Sequence, residues 1–152
     1  INDPMTVDLY VDKGGLLLSS VEPMGSQIRV PDGEASESLF KRYRALGIRL
    51  MDKHAKDVTF IDVRNTLGVA DLFVIVTALN DVHMDALEAE AEEYLESHFD
   101  SIRREGEDSR RWRLLDAGDV VVHIFSRDAR DFYRIEKIWG DSEVMTFEDP
   151  DA

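Results

Sequence analysis

Two carboxylates, Asp116 and Asp119, have the spacing in this chain that best fits a chemical site. They flank Ala117 and Gly118 between two short apolar stretches, so the sequence predicts a tight turn that joins two strands. Carboxylates at a sheet edge can hold Mg²⁺ for nucleotidyl transfer, and Asp71 would supply a third donor. The other interpretation is turn chemistry, since aspartate accepts backbone N–H bonds at such bends. We favour the turn and keep a metal-dependent nucleotidyltransferase-like enzyme as the alternative.

The histidines of the chain do not form a metal-binding motif. They are His54, His83, His98 and His123. Their positions give neither HxH nor HExxH spacing. His123 lies in the stretch VVVHIF on the same strand face as Val121, and a partly buried, hydrogen-bonded, neutral histidine is favoured there over a ligand or catalytic role.

Other catalytic signatures are absent from the sequence. The chain has no cysteine, which excludes disulfides, thiolate zinc sites and cysteine nucleophiles. It also lacks the GxGxxG, GxxxxGKS and GxSxG patterns of nucleotide-binding loops and serine nucleophiles. We therefore expect no enzyme activity, no catalytic residue, no cofactor and no bound metal.

Trp112 has two interpretations that the sequence leaves open. A tryptophan in a short strand is usually a core residue. However, Arg110, Arg111 and Arg113 surround it, which suggests a strand with one solvated face. An aromatic residue at such an edge is a typical interface anchor, because it buries a large area at low entropy cost.

The composition predicts one acidic domain. The chain has 152 residues, with 18 basic and 32 acidic side chains and a net charge of −14. Such a surface repels DNA and anionic membranes and attracts basic partners, although acidity also serves solubility alone. We find no apolar run of membrane-spanning length and no secretory signal, so a soluble, cytoplasmic protein is expected.

The elements that must position these residues follow from the hydrophobic pattern. Residues 1–35 contain three of the four prolines and four of the nine glycines. Their apolar stretches at 6–11 and 16–21 predict either a β-hairpin or a loose extension that pairs only when it finds a sheet edge. A domain is predicted over 36–140, followed by an acidic, loosely attached tail over 141–152.

Within the domain, the pattern alternates between helical and strand periods. A basic helix is predicted over 36–56, with Ser36 or Ser38 as its cap and Gly47 as a weak point. Strands follow at 57–64 and 71–77, and a helix capped by Asn80 or Asp81 extends to about Phe99. Eight acidic residues between 81 and 100 predict one continuous acidic face on it. Strands at 111–116 and 119–125 and a helix at 127–139, capped by Ser126, complete an α/β domain, a mixed sheet flanked by helices. The two-residue period of a strand places Trp112 and Leu114 on one face with Asp116.

Three stretches together resemble the Iojap/RsfS family of ribosomal silencing factors. They are ADLFVIVT at 70–77, EGED followed by RWRLLDAGDVVVHIF within 105–125, and FYRIEKIW at 132–139. The resemblance covers about 39–139, roughly two-thirds of the chain, and the order and spacing of the three stretches make it specific. It implies a mixed sheet flanked by helices that is distantly similar to nucleotidyltransferases but lacks their catalytic glycine-serine motif.

The resemblance also implies a function and a site. The expected partner is the large ribosomal subunit, bound through a basic ribosomal protein, number fourteen of that subunit, where it blocks subunit joining and represses translation. Family members are often homodimers, so a homodimer is also expected. The partner-binding residues that match the family motifs are Trp112, Leu114, Asp116, Gly118, Asp119, Val121, His123, Tyr133, Glu136 and Trp139.

The sequence departs from the family pattern in two places. Where the family usually has glycine, threonine and arginine after the second strand, this chain has Ala78, Leu79 and Val82. Any role of that arginine is therefore not carried over. Residues before Ser36 match no part of the family pattern and are assigned no function.

Overall fold

A computed structural model describes residues 35–65, 70–133 and 142–148 of the chain. The helices are α1 (Ser36–Arg42), α2 (Arg44–Asp52), α3 (Asp81–His98) and α4 (Arg127–Tyr133). The strands are β1 (Lys56–Asp62), β2 (Leu72–Ala78), β3 (Arg103–Glu105), β4 (Trp112–Asp116), β5 (Val120–Ser126) and β6 (Val144–Thr146). The N-terminal stretches 6–11 and 16–21 and the end of the last predicted helix lie outside the described residues.

The six strands form one mixed sheet in the order β3-β4-β5-β2-β1-β6. β2 and β5 are parallel, and the other neighbouring pairs are antiparallel. The parallel pair is central and largely buried on both faces, and for β2 the nearly continuous apolar run within 71–77 predicts this position. The predicted α/β class, a mixed sheet flanked by helices, is confirmed.

Two apolar clusters cover the two faces of the sheet. The larger one joins α1, α2 and α3 to one face, which we call the helix face. The other contains Ile61, Phe73, Trp112 and Phe125 together with Ala129 of α4, and we call its side the α4 face. Because side chains alternate along a strand, each residue of β4 and β5 is assigned to a face by its position.

The first predicted helix is two helices in the structure. α1 ends and α2 begins around Tyr43, whose φ of −107° and ψ of 14° interrupt the helical bonds. Gly47, the expected weak point, lies inside α2. A Cβ on this glycine would lie 2.8 Å from Cε2 of Phe147, so its absence lets the Phe147 ring pack against the helix. The expected cap by Ser36 or Ser38 is also wrong, because Ala35 is the N-cap of α1 and no side chain caps this helix. Ser36 Oγ instead donates to Asp62 Oδ2 at 2.6 Å.

The other predicted caps are confirmed. Asn80 Oδ1 accepts the His83 N–H at 2.8 Å at the start of α3, and Ser126 Oγ accepts the Ala129 N–H at 3.1 Å at the start of α4. Each side chain satisfies a donor that the first helical turn leaves without a partner. None of the helices in the described ranges is long and apolar enough to cross a membrane.

Two edge strands were not predicted. β3 follows α3 and pairs with β4, while β6 pairs with β1 through Ile61 and Val144. The prediction of a loosely attached tail is therefore wrong for residues 144–146, which form β6.

Candidate partner-binding surface

The β4–β5 hairpin places five of the predicted site residues on one face of the sheet. Leu114 lies opposite His123, and Asp116 lies opposite Val121. Trp112 shares this α4 face, as the two-residue period of a strand predicted. Two more of the predicted site residues, Gly118 and Asp119, lie in the loop of this hairpin.

Burial divides these residues into two groups. Trp112 is 1% exposed, and Leu114, Val121 and His123 are at most 2% exposed. Of the two interpretations of Trp112, the structure therefore supports the core position. At the hairpin loop, by contrast, Gly118 and Asp119 are exposed. The side chains of Tyr133, Glu136 and Trp139 lie outside the described residues.

His123 is part of the packing around Trp112. Trp112 Nε1 donates to His123 Nδ1 at 3.3 Å, so the ring proton of a neutral His123 is on Nε2. The Phe73 ring packs 4.7 Å from the imidazole, centroid to centroid. Burial lowers the pKa of His123 to about 3, because a charged imidazolium would lose its hydration there. The predicted neutral, hydrogen-bonded histidine is confirmed, and it is fully rather than partly buried.

This histidine should make the stability of the protein depend on pH. Below pH 6.5 the unfolded chain protonates His123, whereas the folded chain does not until about pH 3. The free energy of unfolding should therefore fall by about 1.4 kcal/mol per pH unit, or about 2 kcal/mol from pH 6.0 to 4.5. Urea unfolding at a series of pH values measures this slope. His123→Leu is the control and should flatten it by that amount; equal slopes would contradict the assignment.

The loop between β4 and β5 is held by Asp116. Its Oδ1 accepts the Gly118 N–H at 2.8 Å, and its Oδ2 accepts from Arg103 Nη2 at 2.9 Å. Gly118 has a φ of +96°, a conformation that side-chain-bearing residues rarely adopt. The turn interpretation of Asp116 is thus confirmed. Asp119 connects the loop to β2 through its main chain, since its carbonyl accepts the N–H groups of Asp71 and Leu72.

The metal-dependent alternative is not supported by the donor arrangement. Burial raises the pKa of the Asp71 carboxyl, and the nearby charge of Asp119 raises it further. These two carboxylates are therefore close enough to interact. Asp116, however, is engaged by Gly118 and Arg103. Across residues 35–65, 70–133 and 142–148, no three histidine or acidic side chains are grouped so that they could hold a metal ion.

The predicted continuous acidic face of α3 is wrong, because arginines from other elements cover much of it. Arg113 of β4 binds Asp85 and Glu88, and Arg49 of α2 binds Glu90 and Glu93. Glu92 is paired with Arg104 of β3, and Asp81 with Arg110. Six of the eight acidic residues between 81 and 100 thus have an arginine partner, and the net charge overstates how acidic this surface is.

The chain is similar to proteins of one family along most of its length. Residues 36–152 match the family described as ribosomal silencing factor during starvation, RsfS. Ribosomal silencing factor RsfS of Bacillus subtilis is 38% identical over 94 residues, which are 61% of this chain and 80% of that protein. The chloroplastic protein Iojap of Zea mays is 28% identical over 140 residues, 92% of this chain and 60% of that protein.

The alignment with the maize protein extends before Ser36, because 92% of the chain cannot fit within 36–152. The match to the family itself begins at Ser36, as the sequence led us to expect.

Solved structures agree with the observed fold. A crystal structure of a Chromobacterium violaceum protein has a TM-score of 0.60 at 30% identity, covering 66% of this chain and 86% of that one. A second, from Bacillus halodurans, has a TM-score of 0.55 at 31% identity, covering 71% and 98%. With the family match over residues 36–152, these likenesses show that the chain belongs to the RsfS (Iojap) family of ribosomal silencing factors.

Proposed function

We propose that this protein represses translation by binding the large ribosomal subunit, and that it does so without catalysis. The partner is a basic ribosomal protein, number fourteen of the large subunit, and its occupation blocks subunit joining. Membership of the RsfS family supports the ribosome as the target. We place the protein in the cytoplasm, and we propose that a homodimer is its unbound form.

The observation that carries the choice of surface is the exposed hairpin loop. Gly118 and Asp119 lie exposed between β4 and β5, whereas six of the eight acidic residues between 81 and 100 are paired with arginines. Among the described residues, Asp119 has no ion pair with a basic side chain, and a basic protein surface is attracted to such a carboxylate. We therefore propose that Asp116, Gly118 and Asp119 contact the partner, with Tyr133, Glu136 and Trp139 extending the surface.

The other four residues of the predicted site have a supporting role in this proposal. Trp112, Leu114, Val121 and His123 are buried, so their side chains reach no partner while the domain keeps this conformation. They pack the α4 face of β4 and β5 and so fix the direction in which the loop points.

Reversing the charge of the loop should weaken ribosome binding. Asp119→Lys replaces an exposed side chain. The fold should tolerate this change, because Asp119 bonds to the start of β2 through its main-chain carbonyl. We expect about a tenfold loss of affinity for isolated large subunits, corresponding to about 1.4 kcal/mol, and a weaker salt dependence. Co-sedimentation at several salt concentrations measures both.

Asp52→Lys is the matched control, because it makes the same charge change at the far end of the domain. Asp52 ends α2 beside Lys53, whose carbonyl is bound by His83 at the start of α3, whereas the hairpin loop adjoins β3 beyond the end of that helix. Equal affinities of Asp119→Lys and the wild type would exclude the loop as the contact. If the wild type did not sediment with large subunits at all, the proposed function itself would be wrong.

A further inference from the structure

The outer edge of β6 is open within the described part of the chain. β6 ends the sheet, and its register pairs Val144 with Ile61 and Thr146 with Thr59. The residues that flank this pair bond to β1, since the Glu143 carbonyl accepts the Asp62 N–H and the Phe147 N–H donates to the Val58 carbonyl. In an antiparallel pair the alternate residues point their backbone groups away from the partner strand. The N–H and C=O groups of Val144 and Thr146 therefore face outward.

A groove with an apolar floor and a charged rim lies beside this open edge on the helix face. It has a volume of about 490 Å³ and runs between α2 and β6. Its apolar lining residues are Ile48, Met51, Met145 and Phe147, and its polar ones are Arg44, Asp52, Thr146 and Glu148. Ile48 is 41% exposed, and Val144, on the other face of the edge, is 43% exposed. An open strand with apolar side chains is a site for strand addition, and proteins usually cover or block such edges.

The N-terminal chain enters the described structure next to this edge. Ser36 Oγ donates to Asp62 Oδ2 at 2.6 Å, and the Asp62 N–H donates to the carbonyl of Glu143, the residue before β6. The preceding chain is therefore tethered at the beginning of β6. The stretch 6–11 is separated from Ser36 by 24 residues. A linker of this length easily reaches β6, which is only three residues long.

Residues 6–11, TVDLYV, have the pattern that this edge requires. Val7, Leu9 and Val11 alternate with Thr6, Asp8 and Tyr10, so one row of side chains is wholly apolar. A strand added to β6 would place one row over the groove and the other row on the α4 side of the sheet. The apolar row matches the groove beside Ile48.

We propose that residues 6–11 add to β6 as a seventh strand and fill the groove with Val7, Leu9 and Val11. The N-terminal chain is then an intramolecular cover of the sheet edge. This inference does not depend on ribosome binding, because it concerns only contacts within the chain.

Amide hydrogen exchange, measured residue by residue on the full chain, tests the added strand. The outward N–H groups of Val144 and Thr146 should exchange at least tenfold more slowly in the wild type than in Leu9→Asp, which places a charge in the groove. The inward N–H of Phe147 is bonded to β1 and is the internal control, since it should not change. Thr6→Asp is the matched variant, because it puts the same charge on the other row and should leave the protection intact.

A cysteine pair tests which row of side chains faces the groove. The chain has no native cysteine, so Leu9→Cys combined with Ile48→Cys can form one disulfide, and Asp8→Cys with Ile48→Cys is the control. An intramolecular bridge from position 9 in clear excess over position 8 supports the proposal. A bridge between two copies would overturn it in favour of a second molecule, and protection that appears only with added large subunits would overturn it in favour of a ribosomal partner. Protection that is insensitive to Leu9→Asp would also exclude it.

Discussion

Replacing Trp112 with alanine should lower the free energy of unfolding by about 3–5 kcal/mol, the usual cost of truncating a large buried aromatic side chain. Among the described residues, Trp112 is the largest fully buried side chain, and it packs in the cluster on the α4 face. The truncation also removes the Nε1 donor from His123 Nδ1, which then lies buried without it. Urea unfolding of the full chain, followed by circular dichroism, measures the loss.

Trp112→Phe is the control for this prediction. Phenylalanine keeps much of the apolar bulk but has no ring N–H, so more than half of the lost stability should return. A Trp112→Ala protein with nearly wild-type stability would show that the side chain is not a core residue, which would restore its role as an interface anchor. Weaker ribosome binding by this variant cannot by itself define a contact surface, because unfolding lowers binding as well.

The structure also explains why the sequence left Trp112 open. Its arginine neighbours suggested a solvated strand face, but Arg113 lies on the helix face, buried against Asp85 and Glu88 of α3. A strand can therefore carry arginines and still be covered on both faces. These ion-pair partners are 28 and 25 residues away along the chain, so no local pattern could reveal them.

Elements with strong local signals were predictable. The central strands have long apolar runs, and the caps at Asn80 and Ser126 depend on residues within the same helical turn. The edge strands β3 and β6 are three residues long and are defined by pairing with distant strands rather than by their own pattern. The reason for glycine at position 47 is likewise non-local, because its contact is Phe147, a hundred residues later.

The candidate site was predictable to a similar degree. The two-residue period correctly placed Trp112, Leu114 and Asp116 on one face, and turn chemistry correctly explained Asp116. What the sequence could not give was burial, which separates the exposed loop from the residues beneath it. Burial depends on which helix covers which face, and therefore on the tertiary fold.

Replacing Arg113 with methionine should destabilise the protein by about 2–3 kcal/mol, although it removes only a charged head group. The guanidinium joins β4 to α3, and Nε also donates to the Ser109 carbonyl at 2.8 Å. Burial opposes its charge, yet the hydrogen bonds that Arg113 donates to Asp85 and Glu88 raise the pKa of Arg113 above its usual value. Breaking a buried pair usually costs about 3–5 kcal/mol, and we expect less here because the Asp85 side chain is 69% exposed and can be rehydrated.

Two further variants separate burial from charge in this effect. Arg110→Met breaks an exposed pair with Asp81 and should cost less than about 0.5 kcal/mol in urea unfolding. Adding Glu88→Gln to Arg113→Met neutralises the carboxylate that loses its main cation, so the double variant should regain roughly 1 kcal/mol. If Arg113→Met cost no more than Arg110→Met, the arginine would be a surface ligand of α3 rather than its attachment to the sheet. The direction of the hairpin loop would then have to be fixed by the packing on the α4 face alone.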